Sequence, residues 1–170
     1  MSDLHRLAGE ETPVNETGPS QPEATDTPPK RNDRSAAPGE VRPLEADDIA
    51  AVAALFQKSF RDPAAPAPAS LGGYLHELFL EHPWRDPELP SRVHVAAGGT
   101  IDGFIGVLPA RMQFRGRTIR AAVAGSLMVH DPGRDPLAGA RLLRAFFNGP
   151  QDLSFSETAN PLSQGMWERL

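Results

Sequence analysis

The spacing of apolar positions changes several times between Val41 and Leu170, and each change marks an element. "VRPL" reads as a short extended segment. "EADDIAAVAALFQKSF" then sets Ile49, Val52, Ala53, Phe56 and Phe60 on one stripe, which predicts an amphipathic helix. Asp47 and Asp48 stand in its first turn, where carboxylates suit the helix dipole. Prolines 63, 66 and 68 forbid a regular helix in "RDPAAPAPAS" and stiffen that connection. "LGGYLHELFLEH" predicts a second helix, and the Pro-rich "PWRDPELPS" leads out of it. From Arg92 the period falls to two. "RVHVAA" puts Val93, Val95 and Ala97 on one face, "GGT" turns the chain, and "IDGFIGVLPARMQF" continues as a long strand. "RGR" turns it again into "TIRAAVAGSLMV". A third helix then buries Gly139, Leu142, Leu143 and Phe146, "DLSFS" is a short buried strand, and "PLSQGMWERL" is a last helix with Ser163, Met166, Trp167 and Leu170 on one face. The order is β-α-α-β-β-β-α-β-α, a mixed α/β fold with an antiparallel meander followed by a βαβ crossover.

Composition changes the picture at the N-terminus. Residues 1–39 are rich in Pro, Glu, Thr and Ser and almost lack large apolar side chains. Such a segment cannot offset a backbone entropy cost of roughly 1–2 kcal/mol per residue, so a disordered tail is expected, with one domain over residues 40–170. The chain has 170 residues, a formal net charge of -5 and no cysteine. That balance argues against general nucleic-acid binding, and disulfides and cysteine-based zinc sites are excluded. The opening residues show no basic head before an apolar core, and no apolar run is long enough to span a bilayer. A soluble cytoplasmic protein without a membrane or nucleic-acid partner is expected.

Candidate chemistry concentrates where the third strand of the meander hands over to a helix, "MVHDPGRDPLAGARLLRAFF". The first N–H groups of a helix have no intrahelical partner, and with the dipole they favour an anion. Ala138, Gly139 and Ala140 are small enough to admit a pyrophosphate to the backbone, Arg134 adds positive charge, and Pro136 suits a first turn. An ordinary well-started helix has the same features, so this turn alone decides nothing.

The ordered arrangement from Val41 to Leu170 resembles the GNAT superfamily of acyl-CoA-dependent N-acetyltransferases. "LMVHDPGRDPLAGA" supplies Val129, Pro132, Arg134 and Gly139 of that family's turn, with Leu137 where a first glycine is usual. "NPLSQGMWERL" matches its downstream motif through Asn160, Ser163, Met166 and Trp167, the last standing where tyrosine is usual. The resemblance implies acetyl-CoA or another acyl-CoA as co-substrate and no metal. It implies a bulged strand at Leu127, Met128 and Val129 facing the pantetheine, and a diphosphate held by Arg134, Asp135, Pro136, Leu137, Ala138, Gly139 and Ala140, with Asn160 nearby. It further implies an amine acceptor, a small molecule or a protein, attacking the thioester directly.

The acid and base of that reaction are less defined. "TIRAAVAGSLMV" holds no carboxylate, which leaves Glu157 as candidate base, then His130, with His94 behind them. An indole N–H at Trp167 is no practical general acid, and the only tyrosine, Tyr74, lies in the second helix. A GNAT-like module that binds acyl-CoA without catalysis is the main rival, and a pure interaction protein working through its tail is a third class. A Rossmann-type enzyme fits less well, because its glycine fingerprint should follow the first strand of a parallel sheet. Family members continue past the last helix with Gly-Phe and two strands. The resemblance thus implies a C-terminally truncated chain with little activity alone, completed by a missing C-terminal segment or by homo-oligomerisation.

Overall fold

The computed structural model describes residues 39–157 and 161–169; the N-terminal tail, Asn160 and Leu170 lie outside them, as does the side chain of Ser163. The strands are β1 (Glu40–Pro43), β2 (Arg92–Val95), β3 (Ile101–Phe114), β4 (Arg117–Val129) and β5 (Leu153–Phe155). The helices are α1 (Ile49–Phe60), α2 (Ala69–Leu80), α3 (Ala138–Phe147) and α4 (Pro161–Trp167). Their order is the expected β-α-α-β-β-β-α-β-α.

One sheet runs β1-β2-β3-β4-β5, antiparallel except where β5 joins β4 in parallel after the crossover through α3. Both turns of the meander follow from their residues. Gly99 takes φ 79° at the β2–β3 turn, and Arg115 and Gly116 take φ 50° and 75° between β3 and β4. Two consecutive residues at positive φ match the right-handed twist of the flanking strands.

Helices cover both faces. Val52, Leu55, Leu71, Leu75 and Phe79 of α1 and α2 close over Val93, Phe104 and Met128. On the opposite face Leu142, Leu143 and Phe146 of α3 meet Ile105, Val107, Ala122 and Ala124. Burying both faces is what makes the single-sided alternation misleading in β2: His94, expected to point outward from Val93, is itself fully buried beneath α3.

Two more expectations need correction. Phe60 is 53 % exposed at the very end of α1, while Leu55 is buried in its place. Packing against α2 as well as the sheet widens the buried arc of α1 beyond the predicted stripe. Likewise β5 is half-exposed rather than buried, because among the described residues it is the last strand of the sheet and has a neighbour on one side only. No helix among the described residues is long and apolar enough to cross a membrane.

Candidate active site at the end of β4

Strand β4 does not run evenly. Gly106 of β3 pairs with Gly125 and Phe104 pairs with Met128, so β4 places Ser126 and Leu127 opposite the single residue Ile105. The extra residue is accommodated at Ser126, which takes φ 53°, a conformation that L side chains adopt at some cost. The bulge inverts the alternation of side chains. Ala122 and Ala124 face α3 before it, whereas Leu127 and Val129 face α3 after it and Met128 joins the opposite cluster. The bulge thus lies one residue earlier than the expected Leu127–Val129, and Ser126 was missed. A serine in a strand has no sequence signature for positive φ.

Among the described residues, β5 pairs with β4 only at Ala121, Ala122 and Val123. From Ala124 to Val129 the outer edge of β4 therefore has no strand partner among the described residues. An edge left open beside a bulge offers backbone N–H and C=O groups to an extended ligand, as it would to a further strand.

Beyond Val129 the chain makes two tight turns. Asp131 takes φ 52° and its carbonyl accepts the Arg134 N–H at 2.9 Å. Asp135 organises the second turn: its Oδ1 accepts the Leu137 N–H at 3.1 Å and its carbonyl accepts the Ala138 N–H at 3.2 Å. Helix α3 begins only at Ala138, so Pro136 stands two residues ahead of it and not in its first turn. Asp135 is the reason, since its carboxylate caps the chain before the helix can start there.

This capping sorts the expected diphosphate residues. The amides of Leu137 and Ala138 are already engaged, and Leu137 itself is 59 % exposed. The N–H groups of Gly139 and Ala140 have no acceptor among the described residues. A Cβ on Gly139 would make only ordinary contact, 3.5 Å from Met166 Sδ and 3.6 Å from Val129 Cγ2, so packing alone does not require glycine there. Arg134 is exposed and has no ion pair among the described residues. Asp135 adds the opposite charge, which Arg141 of α3 meets at 2.5 Å. Burial disfavours the Asp135 anion, yet the Arg141 guanidinium and the Leu137 amide outweigh it and hold the carboxyl below its usual range.

The candidate acid–base residues are dispersed. His130 is exposed at the end of β4, with its N–H on the Asp102 carbonyl at 2.7 Å. Glu157 is exposed just past β5. His94 is buried against Asp102, 2.6 Å from Nδ1 to Oδ1. Trp167 packs on α3, its ring centroid 4.9 Å from Phe147 and 5.9 Å from Phe146. Tyr74 is exposed on α2.

A cleft of about 700 Å³ between the loop Pro83–Leu89 and the β3–β4 ribbon is lined by Trp84, Arg85, Arg111 and Arg120. It sits toward the other end of β4, where its lining residue Ala121 is five residues, or roughly 17 Å, along the strand from Ser126. Arg120 fixes that loop by bonding Asp86 at 2.6 Å and Glu88 at 3.1 Å.

No protein-family model and no curated relative matches the chain. Solved structures do. A transcriptional regulator from Bacillus halodurans C-125 is 17 % identical with a TM-score of 0.58, over 77 % of this chain and 90 % of the other. A GNAT family acetyltransferase from Staphylococcus aureus subsp. aureus USA300_TCH1516 is 15 % identical with a TM-score of 0.52, over 73 % and 89 %. The aminoglycoside N-acetyltransferase AAC(6')-Iy, solved in complex with CoA, is 16 % identical with a TM-score of 0.57, over 81 % and 88 %. This chain has the fold of the GNAT acetyltransferases.

Proposed function

We propose that the protein transfers an acyl group, acetyl in the simplest case, from acyl-CoA to an amine. The observation that carries this reading is the continuity of three features: the bulge at Ser126–Leu127, the open edge of β4 beyond Val123, and the unclaimed amides of Gly139 and Ala140. The first two suit an extended amide-bearing arm such as pantetheine, and the third suits a diphosphate. Arg134 adds a cation at the same end, and Arg141 offsets the opposing charge of Asp135. The likeness to a CoA-bound acetyltransferase supports the same ligand class.

An acyl-CoA brings its own activated thioester, so the demands on the protein are modest. It must orient the acyl carbonyl beside the open edge of β4, donate to that oxygen as it becomes negative, and accept a proton from the incoming ammonium; the C–S bond then breaks and the coenzyme A thiolate takes up a proton as it leaves. Backbone amides near the bulge suit the second task. For the third, β4 contributes no carboxylate, so Glu157 and His130 are the nearest candidates by sequence and water can relay the proton. The acceptor class is an amine, of a small molecule or of a protein.

Calorimetric titration with coenzyme A, run beside an assay of thiol release from acetyl-CoA over a panel of amines, tests the proposal. Saturable CoA binding with amine-dependent thiol release is the expected result. Binding without release under every amine would leave an acyl-CoA-binding module, and no binding would remove the reading.

A further inference from the structure

Beneath the turn lies a buried polar chain whose imidazole the acyl-transfer reading does not use. β2 carries His94, fully buried. β3 supplies Asp102, the residue left over where His94 pairs with Gly103 and Val95 pairs with Ile101. Regular alternation would send Asp102 to the face opposite His94; the bulge re-aims it so that Oδ1 meets Nδ1 at 2.6 Å. The other ring nitrogen, Nε2, lies 3.2 Å from the Arg141 guanidinium and 3.5 Å from Asp135 Oδ2. Two glycines make room for the ring. A Cβ on Gly39 would fall 2.3 Å from His94 Cε1, and one on Gly103 would fall 3.0 Å from both His94 Cβ and Leu142 Cδ1. The charged groups facing the imidazole are therefore Asp102 from β3, Asp135 from the turn and Arg141 from α3, while Gly39 brings backbone alone.

Nε2 can serve only one of its two neighbours at a time. With Nδ1–H on Asp102 and a neutral ring, Nε2 has a lone pair and accepts from Arg141, which has donors only. With a second proton, Nε2 becomes a donor toward Asp135 and a like charge toward Arg141. We propose that His94 is a positioning residue for the turn ahead of α3: neutral, it retains the Arg141 guanidinium with Asp135, and on protonation it takes Asp135 for itself and frees Arg141. Arg141 follows Gly139 and Ala140 in the first turn of α3, so the freed cation adds to the charge available to an anion at their amides. This rests on the proposal that those amides hold the diphosphate of coenzyme A.

The probe is dephospho-coenzyme A, which has no phosphomonoester to titrate, measured by calorimetry at two pH values on either side of the His94 midpoint, itself read from the ring protons by NMR. Wild-type affinity is expected to be about two- to fivefold higher at the lower pH, the size of a charge at a helix terminus. His94→Gln and Arg141→Gln should each bind with an affinity that no longer changes across this range. Equal wild-type affinities, or a slope retained in Arg141→Gln, would overturn the proposal. Because His94→Gln could fail to fold, and binding could be absent altogether, ligand-free NMR provides a second reading. The Arg141 Nε–H resonance should move with the same midpoint as the His94 ring protons. Independent titration of the two groups sinks the positioning role even if the nucleotide binds. Joint titration without nucleotide binding at any pH would instead sink the coenzyme A assignment and, with it, the role given to the freed cation.

Discussion

The ring of Phe79 occupies the space that a side chain on Gly106 would need: a Cβ there would stand 2.6 Å from both Cε1 and Cζ. Phe79 of α2 also meets Phe104 edge-on, with centroids 5.2 Å apart, so this contact docks α2 on the sheet one residue before the bulged part of the ladder. Gly106→Ala should therefore destabilise by about 1–3 kcal/mol through overpacking. Gly73, on the exposed face of α2, is the control, because a Cβ there meets nothing within 4 Å. Gly73→Ala should stabilise by about 0.5–1 kcal/mol through helix propensity. Urea midpoints that moved in the same direction for both variants would contradict this packing.

Asp48 gives the protein an acid-sensitive joint. Arg42 of β1 bonds both carboxylate oxygens, at 2.6 and 2.8 Å, and the Glu45 N–H donates to one of them at 2.9 Å. The Arg42 hydrogen bonds chiefly, against the opposing effect of burial, hold the Asp48 carboxyl below its usual range. A folded value below the unfolded one means that the stabilisation is fully present above the unfolded value of about 3.9, and is lost as pH falls through the folded value. Asp48→Asn should cost about 1.5–3 kcal/mol at neutral pH. Its thermal midpoint should also change less than wild type between neutral pH and the acid limb. An unchanged acid limb would assign the sensitivity to another group.

How much of this was legible in the sequence depends on whether local or tertiary chemistry decides a position. The hairpins at Gly99 and Arg115–Gly116 were legible because the residues that permit the turns sit inside them. The buried stripe of α3 was legible because only one of its faces meets the sheet: Gly139, Leu142, Leu143 and Phe146 are all buried. His94 was not, because period two reports which residues share a face and not whether a helix starting as far along as Ala138 covers that face. The two bulges were hidden for a related reason. Asp102 and Ser126 become the extra residues only once the neighbouring strand sets the register. At the turn, Arg134 and Gly139 are proposed from pattern alone, whereas the pairing of Asp135 with Arg141 depends on how far the chain turns before α3 begins.

Trp167 is a packing residue by its contacts, and substitution should show it. Its ring meets Phe147 at 86° and a centroid distance of 4.9 Å, joining α4 to α3. Trp167→Ala should destabilise by about 2 kcal/mol, below the cost for a fully buried tryptophan because the residue is only half-buried. Trp167→Phe keeps an aromatic contact and should retain most of that stability. A drop in thiol release by Trp167→Phe at unchanged melting temperature would show that the indole N–H acts in the reaction.

Arg134 separates electrostatics from architecture. Its side chain is exposed and its main chain alone closes the turn, through the N–H on Asp131. Arg134→Ala should leave the melting temperature unchanged and weaken coenzyme A binding by about two- to fivefold at low salt. The difference between the two proteins should shrink as salt screens the exposed charge. A salt-independent loss would point to a structural role for the side chain instead.

Ser126 tests whether the bulge itself matters. At φ 53° the residue sits where glycine is at ease and a β-branched side chain is not. Ser126→Gly should be neutral or stabilising by up to about 1 kcal/mol, against the usual penalty for glycine within a strand, because it relieves the backbone. Ser126→Val should cost about 1–3 kcal/mol, or else drive β4 into regular register. The second outcome carries the functional consequence. Regular register would turn Leu127 and Val129 away from α3 and Met128 toward it, and would re-aim the backbone groups along that edge. Coenzyme A affinity should then follow the bulge and not stability, preserved in Ser126→Gly and lost in Ser126→Val measured well below its melting temperature. Equal affinity in both variants would separate nucleotide binding from this part of β4.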